Sequence, residues 1–207
     1  DAGLTTGACL IQKRVAWITL RKCQGTEEAK QYKGKPGDLA KCLATFQAKL
    51  VKIDGKATKA AIACRYRDNG DSTVTDFDTG LMWAKNNDVT VKYKASWSEV
   101  MSTFVSACNG NSTDGASLGP SCSIYHDWRV PNILELKTIV DLGAAGCGSE
   151  SPCIDPIFGP TAAGLYWSAT TDAGDPNGAW GIGFGGGFVG GGSKNNVTYV
   201  RAVRTGL

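Results

Sequence analysis

A single histidine, His126, is present in the 207 residues. A Ser-His-Asp or Cys-His relay has no other imidazole to use. No two cysteines form a Cys-x-x-Cys pair, and the closest two, Cys147 and Cys153, stand too far apart for a zinc knuckle. No apolar run reaches the length of a membrane span, because charge interrupts residues 10–20 at Lys13 and Arg14. There is no Gly-x-x-x-x-Gly-Lys-Ser/Thr loop, and the glycine-rich stretch 181–193 is followed by no helical pattern, so a nucleotide site is unsupported. Asp68, Asn69, Asp71 and Asp76 offer oxygen ligands without EF-hand spacing and read as turn residues. The chain starts at Asp1 with no signal-peptide pattern, which reads as a mature, processed chain.

What is present points outside the cytoplasm. Eight cysteines, an even number, read as a disulfide framework formed in an oxidising compartment. The expected location is extracellular or at the cell surface. The net charge of +3 is unevenly spread. Residues 1–64 hold 12 Lys and Arg against 5 Asp and Glu, whereas residues 65–207 hold 10 against 14. A basic head on an acidic body can attract its neighbours head to body.

The head, residues 1–64, reads as an antiparallel helical hairpin. Leu4, Ala8, Ile11, Val15 and Ile18 recur at steps of four and three, which predicts a helix over 4–24 with these residues at the seam. Leu39, Leu43, Phe46, Leu50, Ile53, Ala57, Ala60 and Cys64 predict a second over 37–64, capped by Asp38 after Pro36 and Gly37. Cys23 and Cys42 then flank the loop and Cys9 and Cys64 the open end, so nested bridges Cys9–Cys64 and Cys23–Cys42 are expected. A second stripe, Leu10, Trp17 and Leu20, lies outside that seam. It either covers the rest of the chain or meets another subunit.

Residues 65–207 read as a second, α+β domain. Arg65 to Trp83 is two short β segments punctuated by Asp68-Asn-Gly-Asp71 and Asp76-Phe-Asp-Thr-Gly80. Ser96-Trp-Ser-Glu99 opens a helix with a capping-box glutamate. Pro131 to Val140 is a further helix with Pro131 in its first turn. Cys108 and Cys122 enclose a Gly/Ser/Asn-rich loop and are expected to pair with each other. Cys147–Cys153 staples the next loop. Tyr166-Trp-Ser168, Ala179 to Phe184 and Tyr199 to Val203 supply strands. The alternating glycines of 181–193 leave a sheet face nearly bare, either as a tolerated turn or as a close subunit contact at Gly185, Gly186 and Gly187.

Four segments in order, Arg65 to Trp83, Asp127-Trp-Arg-Val-Pro-Asn-Ile-Leu-Glu-Leu136, Leu165-Tyr-Trp-Ser-Ala-Thr-Thr171 and Tyr199-Val-Arg-Ala-Val-Arg204, resemble the Lcl C-terminal domain family over residues 65–204. That resemblance implies a C-type-lectin-like fold beside the formylglycine-generating-enzyme fold, and ligand or glycosaminoglycan binding in some members. Ser72 departs from a usual glycine and Ala202 from a common cysteine, the second implying a different disulfide pattern. The reactive cysteine pair or copper site of the formylglycine-generating relatives has no counterpart here. His126 precedes Asp127-Trp128-Arg129, where the resemblance implies packing.

The resulting expectation is a non-enzymatic, secreted structural protein without cofactor or metal. Its partners are copies of itself, in a fibre or surface layer, with no nucleic acid and no membrane span. The alternative is an extracellular glycan- or protein-binding module, with polysaccharide as partner and Trp180, Phe184 and Phe188 stacking on sugar rings. Asp175-Pro-Asn177 is a faint echo of calcium-lectin sugar loops, and no Trp-Asn-Asp follows it. Asn111-Ser-Thr and Asn196-Val-Thr are candidate glycosylation sequons.

Overall fold

Thr5 accepts the Ala8 N–H at 3.2 Å and opens the first helix, α1, Thr6–Tyr32. In this computed structural model residues 5–60, 63–85, 93–110, 125–149 and 151–206 are described. Asp38 caps α2, Leu39–Lys59, by accepting from Lys41 N–H at 2.8 Å. The first helix runs past its expected end. Its extra turns hold an i,i+3 pair, Glu27–Lys30 at 2.7 Å, and Glu27 also accepts the Asp38 N–H at 3.0 Å, tying the two helices at their loop.

By contacts the chain divides into two units, one comprising Asp1–Arg67, Asp76–Leu81 and Gly206–Leu207, the other Asp68–Thr75 and Met82–Thr205. In the first, Cys9, Leu10, Ala16 and Leu20 of α1 bury against Cys42, Phe46, Ile53 and Ala57 of α2. Cys9–Cys64 and Cys23–Cys42 are bridged, with Cα atoms 5.8 and 5.7 Å apart. The segment 76–81 packs into this unit. Trp17 stacks on Phe46 with centroids 4.5 Å apart, and its indole N–H donates to the Phe77 carbonyl at 2.9 Å. The Trp17 ring also lies over Gly80, whose φ of +72° and lack of Cβ permit that approach.

The expected seam is overturned. Ile11, Val15 and Ile18 are 65%, 55% and 48% exposed, while Leu10 and Leu20 are buried. The cysteines are the reason. Cys9 and Cys23 sit on the face that carries Ala16 and Leu20, and their bridges commit that face to α2.

The remaining elements are mainly β. Strands β1 (Tyr66–Asp68), β2 (Thr73–Asp76), β3 (Leu81–Ala84) and β9 (Val203–Thr205) form a sheet in the order β1-β2-β3-β9. Strands β4 (Lys94–Ala95), β5 (Leu165–Thr171), β6 (Gly178–Gly183), β7 (Phe188–Ser193) and β8 (Thr198–Tyr199) form a second sheet, ordered β4-β8-β5-β6-β7. Ser96 and Glu99 make the expected capping box at α3, Trp97–Glu99, which continues through a π turn, Val100–Phe104, into α4, Val105–Cys108. The other helix, α5, is Ile133–Thr138. Asn132 is its cap, so Pro131 precedes the helix rather than occupying its first turn. Trp128, Trp167, Val100, Phe104, Ala179 and Ala202 share one core cluster. The architecture is therefore α+β, a disulfide-linked hairpin followed by a β-rich region. No helix among the described residues is long and apolar enough to cross a membrane.

Candidate interaction surface

The outward face of α1 follows from the seam. With Leu10, Lys13, Ala16 and Leu20 turned inward, Ile11, Val15 and Ile18 line up on the opposite side at four- and three-residue steps. Ile11 and Val15 also border a groove of about 330 Å³, whose other walls are Lys49, Lys52 and the buried Ile53 of α2. Beyond Ile18 the same helix turns basic. Arg21, Lys22 and Lys30, with Lys33 and Lys35 beyond the helix end, surround a trough of about 710 Å³ floored by Gly25, Thr26 and Ala29. Three exposed aliphatic side chains in register make a surface patch rather than scattered exposure.

The stripe Leu10, Trp17 and Leu20, expected to serve self-assembly, is spent inside the first unit. Leu10 is 8% and Leu20 5% exposed, and Trp17 is held by Phe46 and the Phe77 carbonyl. Gly185, Gly186 and Gly187 form the turn between β6 and β7. A Cβ on Gly187, at φ +67°, would meet Leu142 and Val140, which seats this turn beside residue 142.

The three aromatic stacking candidates do not form one platform. Phe184 is fully buried and meets Tyr166 edge-on at 5.0 Å, so it is core. Trp180 is half-buried opposite Gly191, whereas Phe188 is 59% exposed opposite Gly183. Alternation along β6 puts those two pairs on opposite faces of the sheet. Phe188 lies over Gly183 and Gly190, so the glycines read as a bare face carry an aromatic ring.

The acidic turn residues are engaged within the chain. Asp68 pairs with Lys85 at 2.5 Å, Asp71 accepts from Thr73, and Asp76 takes a fork from Arg65 at 2.9 and 3.1 Å. No His/Cys/Asp/Glu group able to hold a metal occurs among the described residues. His126 is exposed, with Nδ1 2.9 Å from the Asn109 carbonyl. Asn196 is exposed after β7, while Asn111 and the Cys108–Cys122 pairing lie outside the described residues. Cys147 and Cys153 are bridged.

Two charged residues of the closing segment take different roles. Arg204 forks onto Asp127 at 2.6 and 3.1 Å and covers the Tyr125 ring at 4.1 Å. Arg201 is buried and donates to the Ala84 and Phe158 carbonyls and to Thr161 Oγ1. Burial pulls its pKa down to about 10. It holds β3, the 158–161 segment and the C-terminal segment together as a structural cation, which periodicity gave no means to foresee.

The sequence model of a family described as the Lcl C-terminal domain matches residues 72–204. No curated protein matches the chain.

Proposed function

Because the chain belongs to the Lcl C-terminal domain family over residues 72–204, we propose that it is a non-enzymatic, extracellular or cell-surface structural subunit that works by self-association. The observation that carries this reading is the outward stripe Ile11, Val15 and Ile18 on a helix whose other face is already stapled to α2. A two-helix unit clamped by two disulfides is a rigid presenter of that stripe. Rigidity matters because a pre-ordered face loses little entropy on contact.

Full burial of the three side chains contributes about 2 kcal/mol each. That total is comparable with the ~4–15 kcal/mol lost on association, so the stripe needs further contacts, and the unequal charge of the two parts of the chain is available to supply them. The test is sedimentation and electron microscopy of the purified, disulfide-intact protein. Concentration-dependent assemblies, lost in Val15→Glu, support the reading. A monodisperse monomer at high concentration overturns it.

A second reading is a glycan- or protein-binding module. Its support is the 59% exposure of the Phe188 ring on the β6–β7 hairpin. A glycan array with Phe188→Ala and Trp180→Ala as controls tests it, and absence of any glycan signal removes it.

A further inference from the structure

The outward face of α1 is graded along its length, apolar from Ile11 to Ile18 and basic from Arg21 to Lys33. That gradient decides which partner fits. Two such faces laid parallel would oppose like charges, and laid antiparallel they would match only their apolar halves and leave Lys22 and the basic end of each helix without an acidic partner. Self-pairing therefore leaves the basic half of the face unmatched. A surface that is apolar at one end and acidic at the other complements the whole of it.

The same chain carries one. From Thr138 to Ser193 the sequence has no Lys or Arg, yet it includes Asp141, Asp155, Asp172 and Asp175. Their carboxylates accept the backbone N–H groups of Gly143, Ile157, Gly174 and Asn177 respectively. None of the four forms an ion pair among the described residues, and the same holds for Lys22, Lys33 and Lys35. Beside Asp141 stands Leu142, 69% exposed. Asp141 N–H donates to the Cys153 carbonyl at 2.9 Å, which fastens Asp141 and Leu142 to the loop closed by the Cys147–Cys153 bridge and brings the Asp155 segment alongside.

We propose that the outward face of α1 docks on the acidic segment beside the Cys147–Cys153 loop of a second copy, head to tail, with Leu142 on the Ile18 end of the Ile11–Val15–Ile18 stripe and Asp141 toward Lys22. This rests on the self-association reading and names its contact. Ile18 and Lys22 are about 6 Å apart along the helix axis, a step that the adjacent side chains of Leu142 and Asp141 can span. A contact between two different surfaces propagates from copy to copy, into a ring where the rotation it imposes closes and into an open chain where it does not.

The experiment uses the full, oxidised chain in three forms: wild type, Lys22→Glu, and Asp141→Lys, each shown to be folded by circular dichroism. Association is measured by sedimentation at low salt and at about 1 M salt, where screening acts within about 3 Å. The expected result is that each variant alone associates about tenfold more weakly, that salt weakens the wild type, and that mixing the two variants restores association. Restoration is diagnostic, because the mixture recreates one native contact and one with exchanged charges, which neither variant can form alone. If the wild type assembles and both variants assemble equally well, or the mixture gives no rescue, the contact is overturned while the subunit reading stands. If the wild type does not assemble at all, the subunit reading falls and takes this contact with it.

Discussion

Lys13 Nζ lies 2.6 Å from Asp54 Oδ1 and also donates to the Asp78 carboxylate, although the lysine side chain is only 1% exposed. One buried ammonium thus joins α1, α2 and the 76–81 turn. Its two partners are 47% and 38% exposed, so each carboxylate retains water on its outer side. The arrangement is asymmetric. Losing one carboxylate leaves the other in place, but losing both strands a buried charge.

Asp54→Ala is therefore expected to lower the unfolding free energy by about 1 kcal/mol, and Asp54→Ala/Asp78→Ala by about 3–5 kcal/mol, more than additively. Lys13→Met, which removes the charge and keeps the volume, should fall below the double variant in cost. Urea unfolding of these proteins, with Asp78→Ala as the second single variant, checks this. A double variant no worse than the sum of two small effects would show that water already satisfies the ammonium.

The two bridges of the hairpin close loops of different length, with sequence separations of 55 and 19 residues. On the chain-entropy account, removing Cys9–Cys64 costs about 4 kcal/mol and removing Cys23–Cys42 about 3 kcal/mol. Serine pairs at each site, compared by thermal unfolding, give the order. The reverse order would show that packing near Cys42, beside Phe46 and Leu20, outweighs the entropy difference.

The hairpin also shows where a sequence informs and where it misleads. Its existence, the cap at Asp38 and the nested cysteine order were legible from 3.6-residue periodicity and loop chemistry. Its seam was not, because α1 carries two apolar stripes of similar length, and periodicity cannot choose between Ile11–Val15–Ile18 and Leu10–Trp17–Leu20. The cysteines could have chosen, since the face that bears Cys9 and Cys23 must meet α2. Cysteine spacing places the ends of a hairpin, and only cysteine position on the helical wheel marks its buried face. In the β-rich region the turns and caps were legible, whereas β7 was hidden by its glycines. It forms because β6 pairs with it from Gly178↔Ser193 to Gly183↔Phe188, a hairpin pairing that the strand propensity of its own glycines does not report.

Ser72 carries the only positive φ of a non-glycine among the described residues, +64°. It stands in the turn where the family usually has glycine, and the angle supplies the reason. A β-carbon in the left-handed region costs about 1 kcal/mol or more. Ser72→Gly is expected to raise stability by about 0.5–1 kcal/mol, the strain relief being partly offset by the greater freedom of the unfolded glycine. Ser72→Val should lower it further than serine does. Chemical denaturation of the three proteins decides, and a destabilised Ser72→Gly would mean that the serine side chain holds the turn.

Stability should fall in acid as carboxylates held below their ordinary value take up protons, Glu135, Asp68 and Asp127 among them. Burial pushes Glu135 up, but the Arg129 fork at 2.6 and 2.7 Å and the Asn132 N–H outweigh it and hold the carboxyl below its ordinary value. The Lys85 bond, then the Gly70 N–H, lowers Asp68, and the Arg204 bond lowers Asp127. Each group binds its proton more weakly folded than unfolded. Its contribution is whole above the unfolded value of about 4 and is lost as pH falls through the folded value. The urea midpoint should therefore stay level from about pH 7 to 5 and drop below about pH 4. Glu135→Gln cannot titrate, so it should begin about 1 kcal/mol less stable at neutral pH, a figure kept small by the 44% exposure of Arg129, and converge on the wild type near pH 2. Curves that stay parallel down to that pH would show that the Arg129–Glu135 fork contributes nothing to the acid limb.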